Sequence, residues 1–203
     1  MLDTPFPPWP SFSEEEIETV ARVLRSGRVN AWTGGEVKAF EREFAAWAGA
    51  KHAVALANGT VALDVAWRVV GIGPGDEVIT TPRSFQASAA SIAMTGARPI
   101  FADVDRQSQN ITPETVATLI TPQTRAILCV HLAGWPCDMD GFRALARAHD
   151  LKLVEDCAQA HGALIGDQAV GTFGDIAAWS FCQDKIVTTG GEGGMVTTDD
   201  DEL

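Results

Sequence analysis

Lys185 follows an apolar run, Ile176 to Phe181, and leads into a loop dominated by Gly190-Gly191-Glu192-Gly193-Gly194. A lysine delivered from a buried strand, beside backbone free to approach a ligand or take positive φ, can hold a carbonyl cofactor covalently. Taken alone, Lys185 also reads as a surface lysine before a glycine hairpin. Its upstream company alters that balance. In Val154-Glu155-Asp156-Cys157-Ala158-Gln159-Ala160-His161-Gly162 an apolar strand ends on two adjacent carboxylates. Strand side chains alternate in direction, so Asp156 faces the edge where Lys185 arrives and Glu155 points away. Alone, Asp156 also fits a metal carboxylate or a helix cap.

Two further segments reach the same edge. Asn58-Gly59-Thr60 lies between the first strand and its helix. Gly59 permits the tight turn, and the helix N-terminal amides with the Thr60 hydroxyl can grip a phosphate; an ordinary cap is the plainer alternative. Ser84-Phe85-Gln86 follows the second strand, and Phe85 either lies flat on an aromatic cofactor or packs beneath the next helix. His131, at the end of the fourth strand, reads first as hydrogen-bonded scaffolding. Gly71-Ile72-Gly73-Pro74-Gly75 precedes a strand instead of following one, so it is a loop and not a dinucleotide fingerprint. A lysine nucleophile, a strand-end carboxylate, a Gly-Thr helix start and a flat aromatic together fit pyridoxal phosphate. That cofactor needs an amine on its carbonyl, an acid on its ring nitrogen and donors for its phosphate.

The elements that carry these residues alternate. Short apolar runs at Ala53–Leu56, Glu77–Thr81, Arg98–Ala102, Arg125–Leu132, Lys152–Glu155, Ile176–Phe181 and Met195–Thr198 are separated mostly by helical segments. Those segments are Thr60–Val70, Ser84–Thr95, Pro113–Ile120 and about Met139–His149. The pattern predicts an α/β fold, a seven-stranded, mostly parallel sheet with helices on both faces. Right-handed crossovers then bring the strand C-termini, and any ligand, to one edge. The glycine loop replaces a helix before the last strand, which is therefore expected to run antiparallel. Residues 1–12 are proline-rich and read as an extended arm. Ser13-Glu14-Glu15-Glu16 is a capping box for a helix with Ile17, Val20, Ala21 and Leu24 on one face and Gly27 as its stop. A second helix from about Gly35 directs Val37, Phe40, Phe44 and Trp47 inward and ends at Gly49. Residues 1–50 thus form an arm with helices, and residues 51–203 the cofactor-binding domain.

The 203 residues suffice for one sizeable α/β domain burying roughly 70% of its unfolded surface. A net charge of -12 offers no basic footprint for nucleic acid or an anionic membrane. No apolar run reaches membrane-spanning length, and Met1 to Pro5 lacks the regions of a signal peptide. Cys129, Cys137, Cys157 and Cys182 form no C-x-x-C pair and suit buried thiols in a reducing compartment, so the chain is expected to be cytoplasmic.

Asn58-Gly59-Thr60, Glu155-Asp156-Cys157-Ala158-Gln159-Ala160-His161-Gly162 and Trp179-Ser180-Phe181 with Lys185 and Gly190-Gly191-Glu192-Gly193-Gly194 resemble the DegT/DnrJ/StrS family of pyridoxal-phosphate sugar aminotransferases. Weaker similarity extends over essentially the whole chain. The resemblance implies the aspartate-aminotransferase-like (fold type I) architecture and transfer of an amino group, from glutamate, to a nucleotide-linked keto-sugar of polysaccharide biosynthesis. It assigns Lys185 to the covalent cofactor bond, Asp156 to the ring nitrogen and Gln159 to a cofactor contact one turn later. Gly59, Thr60 and Ser180 become phosphate contacts, and Phe85 the ring-stacking position. Cys182-Gln183-Asp184 and Ile186 depart from the His-Pro-Ser and Asn that often flank the family lysine. Retention of the lysine argues against the related dehydratases, which carry histidine there. Family members resemble a chain about twice this length, with a smaller C-terminal domain and a site completed across a homodimer. A truncated, cofactor-binding but catalytically inactive member is therefore the rival expectation.

Overall fold

A computed structural model describes residues 8–203, so part of the expected proline-rich arm, residues 1–7, lies outside the described residues. Two helices come first, α1 (Glu14–Ser26) and α2 (Glu36–Ala48). Ser13 caps α1 in the expected box with Glu16, and Gly27 and Gly49 end the two helices in the left-handed conformation. Strand β1 (His52–Leu56), helix α3 (Gly59–Val69), β2 (Glu77–Thr80), α4 (Ala87–Met94) and β3 (Arg98–Phe101) follow. Then come α5 (Pro113–Ala117), β4 (Thr124–Val130), α6 (Met139–His149) and β5 (Lys152–Asp156). A small hairpin, β6 (Leu164–Ile165) with β7 (Gln168–Ala169), precedes β8 (Ile176–Ser180) and β9 (Gly194–Thr198).

The seven-stranded sheet has the order β1-β9-β8-β5-β4-β2-β3. Strands β3, β2, β4, β5 and β8 are mutually parallel, whereas β9 runs antiparallel to both of its neighbours, β8 and β1. β1 therefore runs in the common direction, and the C-terminal ends of β1, β2, β4, β5 and β8 share one edge. That is why residues from five sequence-distant loops can meet there.

Period-two alternation sorts the side chains between the two faces. Val154 and Ile176 join Trp67 of α3 and Ile92 of α4 on one face. Leu153 joins Phe142 of α6 on the other, beside a third cluster in which Phe44 of α2 packs on Trp179 and Phe181. The same alternation carries Asp156 to the α3/α4 face and Glu155 to the opposite one.

Three local details depart from the periodicity. The apolar stripe of α1 (Ile17, Val20, Leu24) is exposed and covers no core. Trp47, expected inward, is 53% exposed, with its ring against Phe44 and Trp179 at the rim of the third cluster. Helix α4 begins at Ala87 instead of Ser84, which leaves Ser84-Phe85-Gln86 as a bend above the sheet edge.

Candidate active site

One cleft of about 430 Å³ opens at the shared strand edge, and Gly59, Thr60, Phe85, Asp156, Gln159, Ser180 and Lys185 all line it. Each is delivered by a different local device. Asn58 caps α3 by accepting the Val61 N–H at 2.9 Å, and its carbonyl takes the Ala62 N–H. The first N–H groups of the helix, on Gly59 and Thr60, have no carbonyl a turn earlier to bond, and both residues line the cleft. A Cβ on Gly59 would lie 2.7 Å from Ser180 Cβ, so only glycine lets the helix start come this close to the end of β8. Gly194 plays the same part for β9, because the Asn58 carbonyl occupies the space a Cβ would need.

Phe85 is 63% exposed and forms a wall of the cleft. With α4 starting at Ala87, Phe85 lies in the bend and is not packed beneath the helix. Gln159 donates nothing inward here; its Oε1 accepts the Ala133 N–H at 2.8 Å, tying the turn after β5 to the turn after β4.

Lys185 sits in a loop closed by its own backbone. Phe181 and Gln183 donate N–H groups to the carbonyls of Gly193 and Gly191 at 2.8 Å each, and the Lys185 N–H reaches the Cys182 carbonyl at 2.9 Å. The Lys185 side chain is only 19% exposed, and its Nζ lies 3.4 Å from Asp184 Oδ2. Asp184 stands where the resemblance led one to expect serine, and it supplies a carboxylate partner at that point.

Asp156 is 6% exposed. Its Oδ2 accepts the Ser88 hydroxyl at 2.8 Å and its Oδ1 the Ala158 N–H at 3.2 Å, leaving each oxygen capacity for another donor. Burial pushes its pKa up, against the Ser88 and Ala158 hydrogen bonds and the charge of Lys185.

The neighbouring carboxylate is of another kind. Glu155 is fully buried and accepts four bonds: His131 Nε2 at 3.0 Å and the N–H groups of Gly171 (2.8 Å), Phe173 (2.8 Å) and Gly174 (2.7 Å). The Cys137 N–H donates to His131 Nδ1 at 3.1 Å, so the ring proton sits on Nε2 and points at Glu155. His131 is scaffolding, as the sequence reading favoured. His131, Glu155 and Cys157 group their ligand atoms within 4.8 Å, but the oxygens of Glu155 are already committed to these donors.

Burial opposes the ionisation of Glu155, yet His131 and the backbone donors outweigh it and hold the carboxyl below its ordinary range. A lowered folded pKa gives stability that is present above the unfolded value and lost as pH falls through the folded one. Glu155→Gln places an NH₂ against N–H donors and is expected to cost about 3 kcal/mol at neutral pH. Urea unfolding checks it. The deficit should shrink in acid, and a neutral-pH midpoint equal to that of the parent would remove Glu155 from this role.

Ser84, Ser88, Asp184 and Glu192 also line the cleft and were not singled out from the sequence. Their four-residue spacing is visible in the sequence, but the pattern reads Ser84–Thr95 as one continuous helix, which hides Ser84 as a residue of the bend.

A model of the DegT/DnrJ/EryC1/StrS aminotransferase family matches residues 10–203. The crystal structure of an aminotransferase from Psychrobacter cryohalolentis superposes with a TM-score of 0.96 at 60% identity, over 98% of this chain and 50% of that one. The spore coat polysaccharide biosynthesis protein SpsC of Bacillus subtilis is 46% identical over 194 residues, 96% of this chain and 49% of SpsC. The UDP-N-acetyl-3-dehydro-alpha-D-glucosamine 3-aminotransferase of Acidithiobacillus ferrooxidans is 48% identical over 170 residues, 84% of this chain and 46% of that enzyme. The chain spans about half the length of the curated relatives it matches.

Proposed function

Since the chain belongs to the DegT/DnrJ/EryC1/StrS aminotransferase family, we propose that it is the cofactor-bearing part of a pyridoxal-phosphate aminotransferase. Its acceptor is a nucleotide-linked keto-sugar and its amino donor is glutamate. The observation that carries this reading is the convergence of Lys185, Asp156, Phe85 and the free N-terminal N–H groups of α3 on one cleft. The donor set fits the cofactor group by group. The Gly59 and Thr60 amides with the Thr60 and Ser180 hydroxyls suit a phosphate, and the Phe85 face suits an aromatic ring. Asp156, with lone pairs to spare, suits a ring N–H, and the Lys185 amine suits a carbonyl. The keto-sugar reading is supported by relatives named for UDP-, GDP- and dTDP-sugar chemistry.

When bound, pyridoxal phosphate supplies a carbonyl that bonds reversibly to amines and a ring that accepts an electron pair from the adjoining carbon. The protein's part is positioning and proton traffic. Lys185 holds the group through Nζ. With a donor amine in its place, Lys185 would be a neutral amine next to the donor's α-carbon, and Nζ would take up the α-proton and return it to the carbon on the far side of the shared nitrogen. Asp156 keeps a positive charge on the ring nitrogen by accepting its hydrogen bond. Phe85 and the α3 N-terminus fix the plane and the phosphate, so the bond to be broken stays oriented.

We further read the protein as cytoplasmic and homodimeric. The four free cysteines support the first, and the uncovered apolar stripe of α1 the second. The net charge of -12 supports small-molecule partners over nucleic acid. Among the described residues no helix is long and apolar enough to cross a membrane.

The test is a two-part assay on the full chain. Borohydride reduction after loading with pyridoxal phosphate should fix one cofactor on the peptide that contains Lys185. Glutamate should then support amination of a nucleotide-linked keto-sugar. Label on another lysine, or none, ends the cofactor reading. Label at Lys185 without amination ends the activity reading and favours a binding-only member.

A further inference from the structure

The carboxylate at the floor of the cleft is anchored from behind by α4. Ser88, 1% exposed, donates its hydroxyl to Asp156 Oδ2 at 2.8 Å, and Ser84 Oγ lies 2.6 Å from Ser88 Oγ. A hydroxyl carries one proton and an ionised carboxylate can only accept. With the Ser88 proton committed to Asp156, the bond between the two serines must be donated by Ser84. The chain of bonds then has one polarity, from Ser84 at the cleft wall through Ser88 to Asp156. It reverses only when Asp156 takes a proton, and Ser84 then turns its own proton toward the cleft. The Ser88 carbonyl is itself fixed, since it accepts the Ser91 hydroxyl at 3.3 Å while Trp67 Nε1 donates to Ser91 Oγ at 2.9 Å.

We propose that Ser88, backed by Ser84, is a positioning residue that keeps Asp156 ionised and aimed into the cleft; the consequence for catalysis rests on Asp156 being the partner of the cofactor's ring nitrogen. The other groups that bear on Asp156 are Lys185 from the loop after β8, which lines the same cleft, and the Ala158 N–H, while His131 and the Cys157 thiol lie across the sheet on the Glu155 side. Burial opposes ionisation here, and the Ser88 bond stands first among the influences that favour it. A charge-assisted bond inside a dry site is also stronger than its counterpart in water.

The test follows the Asp156 carboxyl by carbon NMR in the full, cofactor-free chain, with Asp156→Asn assigning the signal. Ser88→Ala should raise the proton affinity of Asp156 about tenfold. Ser84→Ala should move it the same way by less, and Ser88→Thr, which keeps the hydroxyl, should titrate like the parent. A parent-like titration of Ser88→Ala overturns the proposal; if that variant does not fold, a parent-like Ser84→Ala does so. Because no cofactor is present, these outcomes are independent of the borohydride label on Lys185. A failed relay and a failed cofactor reading are therefore told apart.

Discussion

Lys185→Ala is expected to abolish the borohydride-fixed cofactor and to lower amination at least about a thousandfold, because both the covalent hold and the proton carrier are lost. The chain has four lysines, and Lys185 is the one that lines the cleft. Lys51 pairs with Asp201 and Lys152 with Asp175, both far from that edge in the fold, and Lys38 lies on α2. Label that survives the change would therefore have to sit outside the cleft, and it would overturn the assignment of Lys185. Folding should barely respond. Lys185 belongs to a loop closed by backbone bonds, and its side-chain partner Asp184 is exposed, so the lost ion pair is worth well under about 1 kcal/mol. A parent-like unfolding midpoint beside vanished label separates chemistry from stability.

What the sequence made legible follows from how far each interaction reaches along the chain. The seven main strands and their helices are local patterns, and their order on one edge follows from the crossover rules. Asp156 and Gly59-Thr60 stood out because the one terminates a strand and the other starts a helix, and Lys185 because it lies between an apolar run and a glycine-dense loop. The hairpin β6–β7 was not, since two-residue strands around Gly166-Asp167 carry no periodicity. The four donors of Glu155 were hidden for another reason, as three of them lie 16 to 19 residues downstream in an irregular loop. Phe85 turned on a boundary of three residues: an α4 beginning at Ser84 would have hidden its ring, and one beginning at Ala87 exposes it. The relay from Ser84 to Asp156 spans 72 positions in the chain and two elements, so no spacing rule announces it.

Asp156→Asn should separate function from stability in a way that tests the site as a whole. An asparagine cannot hold a proton on a ring nitrogen as an anion does, so amination is expected to fall by about a hundredfold or more. Stability should move the other way. Burial raises the folded pKa of Asp156, so the native state binds this proton more tightly than the unfolded chain does. Its contribution is then fullest below the unfolded pKa, and it declines as pH rises through the folded one. Asparagine is neutral at every pH and escapes that decline; its single oxygen can still accept the Ser88 hydroxyl, and the bond given up is the longer one from the Ala158 N–H at 3.2 Å. The cofactor-free variant is therefore expected to unfold at neutral pH no earlier than the parent, with a flatter pH profile over the acid range. Urea midpoints between about pH 4 and 8 measure this, with the sign opposite to that of Glu155→Gln one residue away. A large neutral-pH destabilisation would show that the Asp156 charge is used to hold the fold together. The cleft would then have no carboxylate reserved for a ligand, since a charge kept for a cationic partner is a cost to the empty protein and a gain only to the filled one.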